Sequence, residues 1–468
     1  MKTKRVVKLV AFCLILFLFL NYIYDVFSWK DTAGDFYSSM DTLYDLDGDL
    51  VDVMFLGSSR CYCTINNAQL WDEHGISSLS LAISGQDIVS SYHVLVEGLK
   101  TQTPEVVCLE LFGTLFWGYE EAESNRYRNT LPYKLSLNAL SVVDEIGGDV
   151  KEDLLLKWPI IHTRYKELKK GDFVDNPPYI GYHCEFVTND IKAICLYDGY
   201  ETMPIGEEQE YWLRKIIELA QEKGIDVCLF ASPFIATETS MKKLNYVENI
   251  AKEYDVTMVN ICRMEEQLGL DPASDFIDPA HTNYSGATKV TKYMGQLLVD
   301  EFGIQDRRGQ KGYELWVENS KVRQHEVNNM LLSQTGSVDD FFAQLSRMED
   351  GYTVVVETNG GYYTDEELME AYATSIGISE LAGNSGVWIV EDGEVELNLQ
   401  GEAFGQYYAL SESDMLIHRE GGVSNIIIND VPHIRAWDGV NVIVYDNLLN
   451  VVVDSASFTP VNQYQLMR

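Results

Sequence analysis

The chain has 468 residues, of which 46% are hydrophobic and 12% aromatic, so it holds enough apolar side chains for two packed domains. Its formal net charge of −37 disfavours nucleic acids and anionic membrane surfaces as partners, because both would repel it. The same charge suits a body that faces water and binds a neutral or cationic partner.

The first predicted element is a membrane-spanning helix. Residues 1–8, "MKTKRVVK", are basic, and only Asn21 is polar in the apolar run from Leu9 to Ile23. The stretch "YDVFSWK" that follows is a poor signal-peptidase site, so we expect an uncleaved anchor rather than a signal peptide. The preceding positive charges predict a single-pass protein of the cell membrane, with a cytoplasmic N-terminus and an extracytoplasmic body.

Short apolar runs alternate with longer amphipathic stretches from residue 50 onward. This pattern is typical of an α/β domain, in which a parallel sheet is covered by helices on both faces. In such domains the ligand sites lie at the carboxyl ends of the strands. The predicted strands cover residues 51–57, 78–84, 105–113, 225–233 and 256–261, and the predicted helices cover residues 88–100, 207–224, 241–254 and 285–303.

The rest of the chain departs from this alternation. Residues 114–200 are rich in aromatic side chains and predict an insertion that either shapes a substrate cleft or covers the core. The polar stretch 303–313 predicts a domain boundary, and strands and turns dominate the sequence that follows it. The predicted organisation is an anchor (1–30), an α/β domain (48–305), a linker with a helix (306–340) and an α+β or mostly β module (341–468).

Cysteine usage gives no sign of a metal site. Seven of the eight cysteines lie outside the anchor, so they cannot all pair within one chain. No pair of cysteines or histidines has the spacing of a zinc site, and we expect neither a metal nor a cofactor.

Two stretches predict a serine nucleophile and its base. The first strand, "VDVMFLGSSR" (51–60), ends in Gly57 and Ser58, and "DFIDPAHTNYSGATK" (275–289) places Asp278 and His281 on one loop. We expect His281 to accept the proton of Ser58 while Asp278 accepts the other ring N–H. The alternative is that Ser58 merely caps a helix, and Ser59 competes with it for the catalytic role.

A glycine after the second strand completes this pattern. Gly85 in "AISGQD" lets the backbone approach a ligand closely. We therefore expect the N–H groups of Ser58 and Gly85 to form an oxyanion hole. The side chain of Gln86 is a further candidate donor.

The three blocks, in this order, resemble the SGNH/GDSL hydrolase superfamily. The stretches "FLGSSRCYCTINNAQLWDEHGI", "SGQDIVSSYHVLVEGLK" and "FIDPAHTNYSGATKVTKYMGQLL" carry the resemblance, which covers residues 50–302. Within the superfamily the chain resembles membrane-anchored bacterial cell-envelope members, around the teichoic-acid D-alanylation and alginate O-acetylation proteins. The resemblance implies a flavodoxin-like three-layer fold and a triad of Ser58, His281 and Asp278.

The chain departs from that family at its third block. The family usually has G-x-N-D there, with the Asn as an oxyanion donor, whereas this chain reads "LELFGT" with Glu110 in the neighbourhood. A carboxylate there repels an oxyanion unless it is protonated or turned away. For substrate contacts we name Arg60, His162 and Arg164; the alternatives are a helix cap for Arg60 and a packed aromatic patch for the other two.

The C-terminal module resembles the interleukin-like epithelial–mesenchymal transition inducer (PANDER-like) domain. The stretches "GVWIVEDG" and "WDGVNVIVYDNLLNVVVDSASFTP" carry this resemblance over residues 340–460. It implies a carbohydrate-binding role, for which Trp437, Asp438 and Trp388 are candidate contacts, although Trp388 lies in an apolar strand typical of a core.

Together these patterns predict an extracytoplasmic serine esterase or O-acyltransferase that acts on acyl esters, of which acetyl is the first candidate, of a cell-envelope polysaccharide. The family resemblance implies a multi-span membrane O-acyltransferase as a partner. The alternative is a catalytically weak or inactive protein of the same fold that binds or assembles glycans, as the departure at the third block would allow.

Overall fold

The computed structural model describes residues 2–28, 36–116, 123–173, 179–183, 185–348, 351–358, 366–379, 381, 384–437, 439–459 and 465–468. These residues form two compact units, Met1–Ser320 and Lys321–Arg468. The division lies within a single helix and inside the predicted linker 306–340.

The first unit is built around a five-stranded parallel sheet. Its strands are β1 (Val53–Gly57), β2 (Ser78–Ala82), β3 (Val106–Glu110), β4 (Asp226–Ala231) and β5 (Thr257–Asn260), in the order β2-β1-β3-β4-β5. In the register, Val53 of β1 pairs with Ser78 on one side and Val106 on the other. Every residue of β1, β2 and β3 is buried, as expected for strands covered on both faces. The predicted α/β class and the five predicted strands are thereby confirmed.

Helices cover the sheet and surround its edges. Several begin at a side chain that accepts a backbone N–H, as Asp87 does from Ser90 at 2.7 Å and Ser136 does from Ala139 at 3.1 Å. The described helices before β4 are α1 (Lys2–Phe27), α2 (Phe36–Asp45), α3 (Ser59–Thr64), α4 (Asn67–His74), α5 (Ile88–Gly98), α6 (Phe112–Leu115), α7 (Glu123–Thr130), α8 (Leu137–Ile146), α9 (Lys151–Leu156), α10 (Trp158–Ile161) and α11 (Glu207–Glu222). Those after β4 in this unit are α12 (Glu238–Tyr254), α13 (Glu265–Leu268) and α14 (Tyr284–Phe302), and short 3-10 turns cover Gly148–Val150, His162–Lys166, Lys170–Phe173 and Ile261–Arg263.

The N-terminal helix α1 is long and apolar enough to cross a membrane between Val6 and Phe27. No other helix of the described residues meets the same criteria of length and composition. This agrees with the predicted anchor, whose topology stays a prediction.

The predicted insertion, 114–200, is helical up to Phe173, and its described residues contain no strand. Beyond Phe173 its described part is irregular, apart from one bridge between Cys195 and Ala236. Residues 117–122, 174–178 and 184 of the insertion lie outside the described residues.

The second unit combines helices with two antiparallel sheets, as the predicted α+β or mostly β module required. One sheet has the order β10-β9-β8-β15-β16 and the other β11-β12-β13-β14. The strands are β8 (Tyr352–Thr358), β9 (Gly386–Glu391), β10 (Glu394–Gln400), β11 (Phe404–Ala409), β12 (Asp414–Glu420), β13 (Val423–Ile428), β14 (Val431–Pro432), β15 (Val440–Asp446) and β16 (Val451–Phe458). The helices are α15 (Glu314–Ser333, shared with the first unit), α16 (Val338–Leu345) and α17 (Glu366–Ser375).

A short hairpin precedes α14 in the first unit. It consists of β6 (Phe276–Asp278) and β7 (His281–Thr282), which pair antiparallel. This hairpin carries the predicted Asp278 and His281, and it lies against α3, the helix that follows β1.

Candidate active site

The site begins where β1 turns into α3. Gly57, the last residue of β1, has φ +145°, a backbone conformation that side chains rarely allow. A Cβ at this position would lie 2.6 Å from the Cβ of Glu110 on the neighbouring strand. The glycine therefore lets β1 and β3 approach closely at the edge where their carboxyl ends meet.

Ser58 is the N-cap of α3 and is fully buried. Its hydroxyl accepts the N–H of Arg60 at 3.3 Å and donates to Oε2 of Glu110 at 3.1 Å. Both interactions are typical of a structural serine at the start of a helix. The contact predicted between Ser58 and His281 is not the one observed, because the cap geometry turns this hydroxyl toward β3.

Ser59 makes the contact with the histidine instead. Its Oγ lies 2.7 Å from Nε2 of His281, and Nδ1 of the same ring lies 2.9 Å from Oδ2 of Asp278. Ser59 is partly exposed, as are the other two side chains. The described residues thus contain a Ser-His-Asp arrangement in which Ser59, rather than Ser58, contacts His281.

Asp278 is held by hydrogen bonds from its own hairpin. Oδ1 accepts the backbone N–H groups of Ala280 at 2.7 Å and His281 at 3.0 Å. Partial burial raises the pKa of Asp278, but the hydrogen bonds from the His281 ring and from Ala280 outweigh it, so the pKa lies below its usual value. The carboxylate form that a histidine-orienting residue needs is therefore favoured.

Two neighbours fix the hairpin to the serine helix. The hydroxyl of Thr282 donates to the carbonyl of Cys63 at 2.9 Å, and Thr64 Oγ1 lies 3.2 Å from the same hydroxyl. Asn283 then caps α14 by accepting the N–H of Gly286 at 3.2 Å. The two residues that follow His281 are thus held in place, which helps to position the ring next to Ser59.

The side chain of Gln86 supports β1 and is not available as an oxyanion donor. Its Oε1 accepts the N–H of Gly57 at 2.8 Å, and its Nε2 donates to the carbonyl of Leu81 at 3.2 Å. The residue is buried, so both ends of the amide are committed to the backbone. This corrects the predicted role of Gln86, whose chemistry suits bridging two strands as well as binding a substrate.

Gly85 has φ +68° and carries a polar neighbour that the sequence did not reveal. A Cβ at Gly85 would lie 2.8 Å from Nδ2 of Asn125, which belongs to α7 in the insertion. The amide of Asn125 thus packs directly on the glycine of the second block. No spacing signal pointed to Asn125, because it lies 40 residues beyond Gly85 in a segment without a recognisable motif.

Glu110 is the last residue of β3 and lies where the sequence differs from the third block of the family it resembles. Its Oε2 accepts the Ser58 hydroxyl and the N–H of Phe112, each at 3.1 Å. Complete burial raises the pKa of Glu110, against the opposing effects of Arg60 and of these hydrogen bonds. The carboxyl group is therefore turned into the protein and is biased toward its neutral form.

Arg60 is enclosed by aromatic rings rather than placed at an open mouth. Its guanidinium carbon lies 4.0 Å from the ring centre of Phe234, 4.4 Å from that of Phe112 and 5.5 Å from that of Phe116. Burial lowers its pKa, and Nη1 has no hydrogen-bond partner among the described residues. The predicted substrate contact assumed exposure, which the structure does not give to this side chain.

The neighbouring cysteines do not compete for the nucleophile's role. Cys61 and Cys63 are both buried. Burial raises the pKa of each thiol, which disfavours the reactive thiolate. They are core side chains of α3.

The structure does not bring the predicted contacts in the insertion together with Ser59. His162 is exposed, and its Nδ1 lies 2.8 Å from the carbonyl of Pro159. Arg164 is buried, donates to Asp172 at 2.6 Å and also bonds the carbonyls of Phe27 and Ser28. The guanidinium of Arg164 thus ties the insertion to the end of α1, which corrects its predicted role.

In the second unit, the tryptophans named as candidate glycan contacts differ in exposure. Trp437 is 74% exposed, whereas Trp388 is buried in the core, as its apolar strand suggested. Asp438 lies outside the described residues.

Comparisons with known proteins find similarity among solved structures. No family model and no curated protein matches the chain. Among solved structures, the chain is similar to a protein of Bacteroides fragilis NCTC 9343 described as a "putative acylhydrolase". The two are 14% identical, the TM-score is 0.30, and the match covers 58% of this chain and all of the other.

Proposed function

We propose that the chain is a serine esterase or O-acyltransferase whose nucleophile is Ser59, whose base is His281 and whose orienting acid is Asp278. The observation that carries this proposal is the pair of contacts to the His281 ring, 2.7 Å from Ser59 and 2.9 Å from Asp278. A hydroxyl, an imidazole and a carboxylate in this series form the arrangement that activates serine for attack on a carbonyl carbon.

The proposed reaction proceeds through an acyl-enzyme. Ser59 Oγ attacks the ester carbonyl while Nε2 of His281 takes the hydroxyl proton, and Asp278 stabilises the resulting imidazolium. The tetrahedral intermediate collapses, the ester C–O bond breaks, and His281 returns the proton to the departing alcohol. Water, or a sugar hydroxyl, then loses its proton to His281 and attacks the acyl carbon. The bond from this carbon to Ser59 Oγ breaks and His281 returns the proton to Oγ, which completes hydrolysis or transfer respectively.

The oxyanion is proposed to lie between backbone and side-chain donors. The N–H of Ser59, at the first position of α3, and the N–H of Gly85 take the place of the donors predicted around Ser58. Asn125, whose amide packs on Gly85, is proposed as the side-chain donor. Asn125 would thus supply, from the insertion, the side-chain amide that the family has after β3 and that this chain lacks there.

For the substrate we propose acyl esters, with acetyl as the first candidate, of a cell-envelope polysaccharide. The resemblance of the three sequence blocks to envelope proteins supports this class, and the exposed indole of Trp437 suits the apolar face of a sugar ring. The helix α1, with its basic N-terminal flank, supports an extracytoplasmic body anchored in a bacterial membrane. A multi-span membrane O-acyltransferase is the proposed partner.

Labelling with a fluorophosphonate tests the nucleophile directly. The full-length protein in detergent is expected to gain one adduct, which peptide mapping places on Ser59. Ser59→Ala and His281→Ala are expected to abolish the adduct, whereas Ser58→Ala is expected to keep it.

Ser58→Ala is the matched control, because the two serines are adjacent and only one contacts the histidine. An adduct on Ser58, or no adduct on a protein that melts cooperatively, would contradict the proposal. The second of these outcomes would favour the alternative, a glycan-binding protein of the same fold without catalysis.

A further inference from the structure

Part of the insertion is fixed to the outer end of the anchor helix. We call residues 154–173, which include α10 and the two turns that follow it, the collar. The ring of Trp158 lies 5.6 Å from that of Phe27, the last residue of α1, and Nη1 of Arg164 donates to the carbonyl of Phe27 at 3.0 Å and to that of Ser28. The collar therefore starts where the apolar stretch of α1 ends.

The collar exposes several large apolar and aromatic side chains. Leu156 is 72% exposed, Tyr165 61% and Trp158 47%, and Leu155 and Phe173 are also exposed. Scattered exposed apolar residues are normal on soluble proteins, but this group is concentrated within twenty residues beside an apolar helix. These side chains are candidates for contact with a nonaqueous environment.

The collar differs in charge from the rest of the chain. Residues 154–173 contain five basic and two acidic residues, in a chain of formal net charge −37. Lys157 and Arg164 bond within the protein, whereas Lys166 and Lys169 are exposed. Lysine and arginine beside tryptophan and tyrosine are typical of the membrane–water interface, where the cations meet lipid phosphates and the rings lie at headgroup level. A dimer in which one collar packs on another would bring like charges together, so the charge favours an anionic phospholipid surface over that contact.

The collar is also internally braced. Nη2 of Arg164 donates to Asp172 at 2.6 Å, and the other carboxylate oxygen of Asp172 accepts the N–H of Lys169 at 2.7 Å. Nζ of Lys157 points inward and donates to the carbonyls of Leu131 and Tyr133 at 2.8 and 2.6 Å. These polar groups hold the backbone in place, so the exposed rings and leucines need not rearrange to meet a surface.

We propose that the collar lies in the interface of the bilayer that α1 spans, with Leu156, Trp158 and Tyr165 inserted among the headgroups. The inference rests on the membrane anchor of the proposed function but not on its catalytic part. The collar thus acts as a second membrane contact, and it restricts the tilt of the first unit relative to the membrane surface. A single spanning helix without such a contact would leave that tilt free.

Photolabelling from the lipid side tests this contact. The full-length protein is reconstituted into vesicles of phosphatidylcholine and phosphatidylglycerol that contain a lipid with a diazirine near the acyl carbonyl. After irradiation, mass spectrometry is expected to find adducts in α1 and in the collar. The reference is the peptide carrying Tyr211, which is 52% exposed on α11 and is expected to remain unlabelled.

Paired substitutions make the test specific. Leu156→Ser combined with Tyr165→Ser is expected to lower collar adducts by about fivefold while α1 adducts stay unchanged, because both side chains are exposed and the Arg164–Asp172 bracing remains. Tyr211→Ser is the matched control and is expected to change neither. Labelling of α1 with a collar no more labelled than the Tyr211 peptide would overturn the proposal. Dimers cross-linked through the collar without lipid adducts would also overturn it, in favour of a second copy. Fluorophosphonate labelling of Ser59 is measured separately on the same samples.

Discussion

Ser58→Ala is expected to weaken the fold while leaving the proposed nucleophile reactive. The substitution removes the N-cap bond to the N–H of Arg60, a loss of about 1 kcal/mol. It also removes a hydrogen bond to the buried Glu110, which keeps its bond from the Phe112 N–H, so the further loss is about 1 kcal/mol. The sum, about 2 kcal/mol, corresponds to a fall in melting temperature of about 4 °C for a unit of this size.

The assay is thermal unfolding of the full-length protein in detergent, read together with the rate of fluorophosphonate labelling. Ser59→Ala is the counterpart: it removes a partly exposed hydroxyl and is expected to shift the melting temperature by about 1 °C or less while abolishing labelling. If Ser58→Ala melts like the unaltered protein and fails to label, the assignment of structural and catalytic roles to the two serines is wrong.

Two further substitutions test the groups around the proposed oxyanion. Glu110→Gln is expected to make the melting temperature less sensitive to pH, because burial raises the pKa of Glu110. The contribution of Glu110 to stability is complete below its unfolded-state pKa and is lost as the pH rises through the raised pKa of the folded state. The gain of Glu110→Gln over the unaltered protein should grow from pH 5 to pH 8; a loss at pH 8 would instead mean that an ionised Glu110 compensates the charge of Arg60. Asn125→Leu is expected to slow acylation of Ser59 by about 10²-fold or more, as the loss of other oxyanion donors does. An unchanged rate in a correctly folded variant would show that Asn125 is not an oxyanion donor.

The sheet domain could be predicted from the sequence because the same pattern of apolar and amphipathic stretches is repeated. Five apolar runs, each followed by a polar turn and separated by amphipathic stretches, determine a parallel sheet whatever the exact bounds of each strand. The hairpin with Asp278 and His281 was readable for a related reason, since a spacing of three places both groups on one turn. The observed ring contact of 2.9 Å to Asp278 needs only this local geometry.

The choice between Ser58 and Ser59 was not readable, because a partner far along the chain decides it. Glu110 lies 52 residues beyond Ser58 and accepts its hydroxyl, while His281 lies 222 residues beyond Ser59. One local principle nevertheless pointed the right way: a residue that caps a helix directs its hydroxyl back to the backbone, so the next residue is the one left to face outward. The capping interpretation holds for Ser58, and the contact with His281 that was expected of Ser58 is made by the adjacent Ser59.

The side-chain roles of Gln86, Arg60 and Arg164 were also beyond the sequence. Each carries a group that suits substrate binding as well as internal bonding, and only packing distinguishes the two uses. Gln86 bridges β1 and β2, Arg60 lies among phenylalanines, and Arg164 holds the end of α1. Asn125 was missed for the opposite reason, since the insertion that carries it has no periodic or motif signal.

The carboxyl group after β3 is compatible with the proposed chemistry. A charged Glu110 facing the substrate would repel a developing oxyanion, whereas a neutral or inward-facing one would not. Its Oε2 is occupied by Ser58 and by the N–H of Phe112, so this oxygen is directed into the protein, and burial raises the pKa of Glu110 against the opposing effect of Arg60. The departure from the family pattern at this block therefore does not argue against catalysis. The oxyanion donor that the family has after β3 is here proposed to be Asn125, and the Asn125→Leu variant tests this assignment.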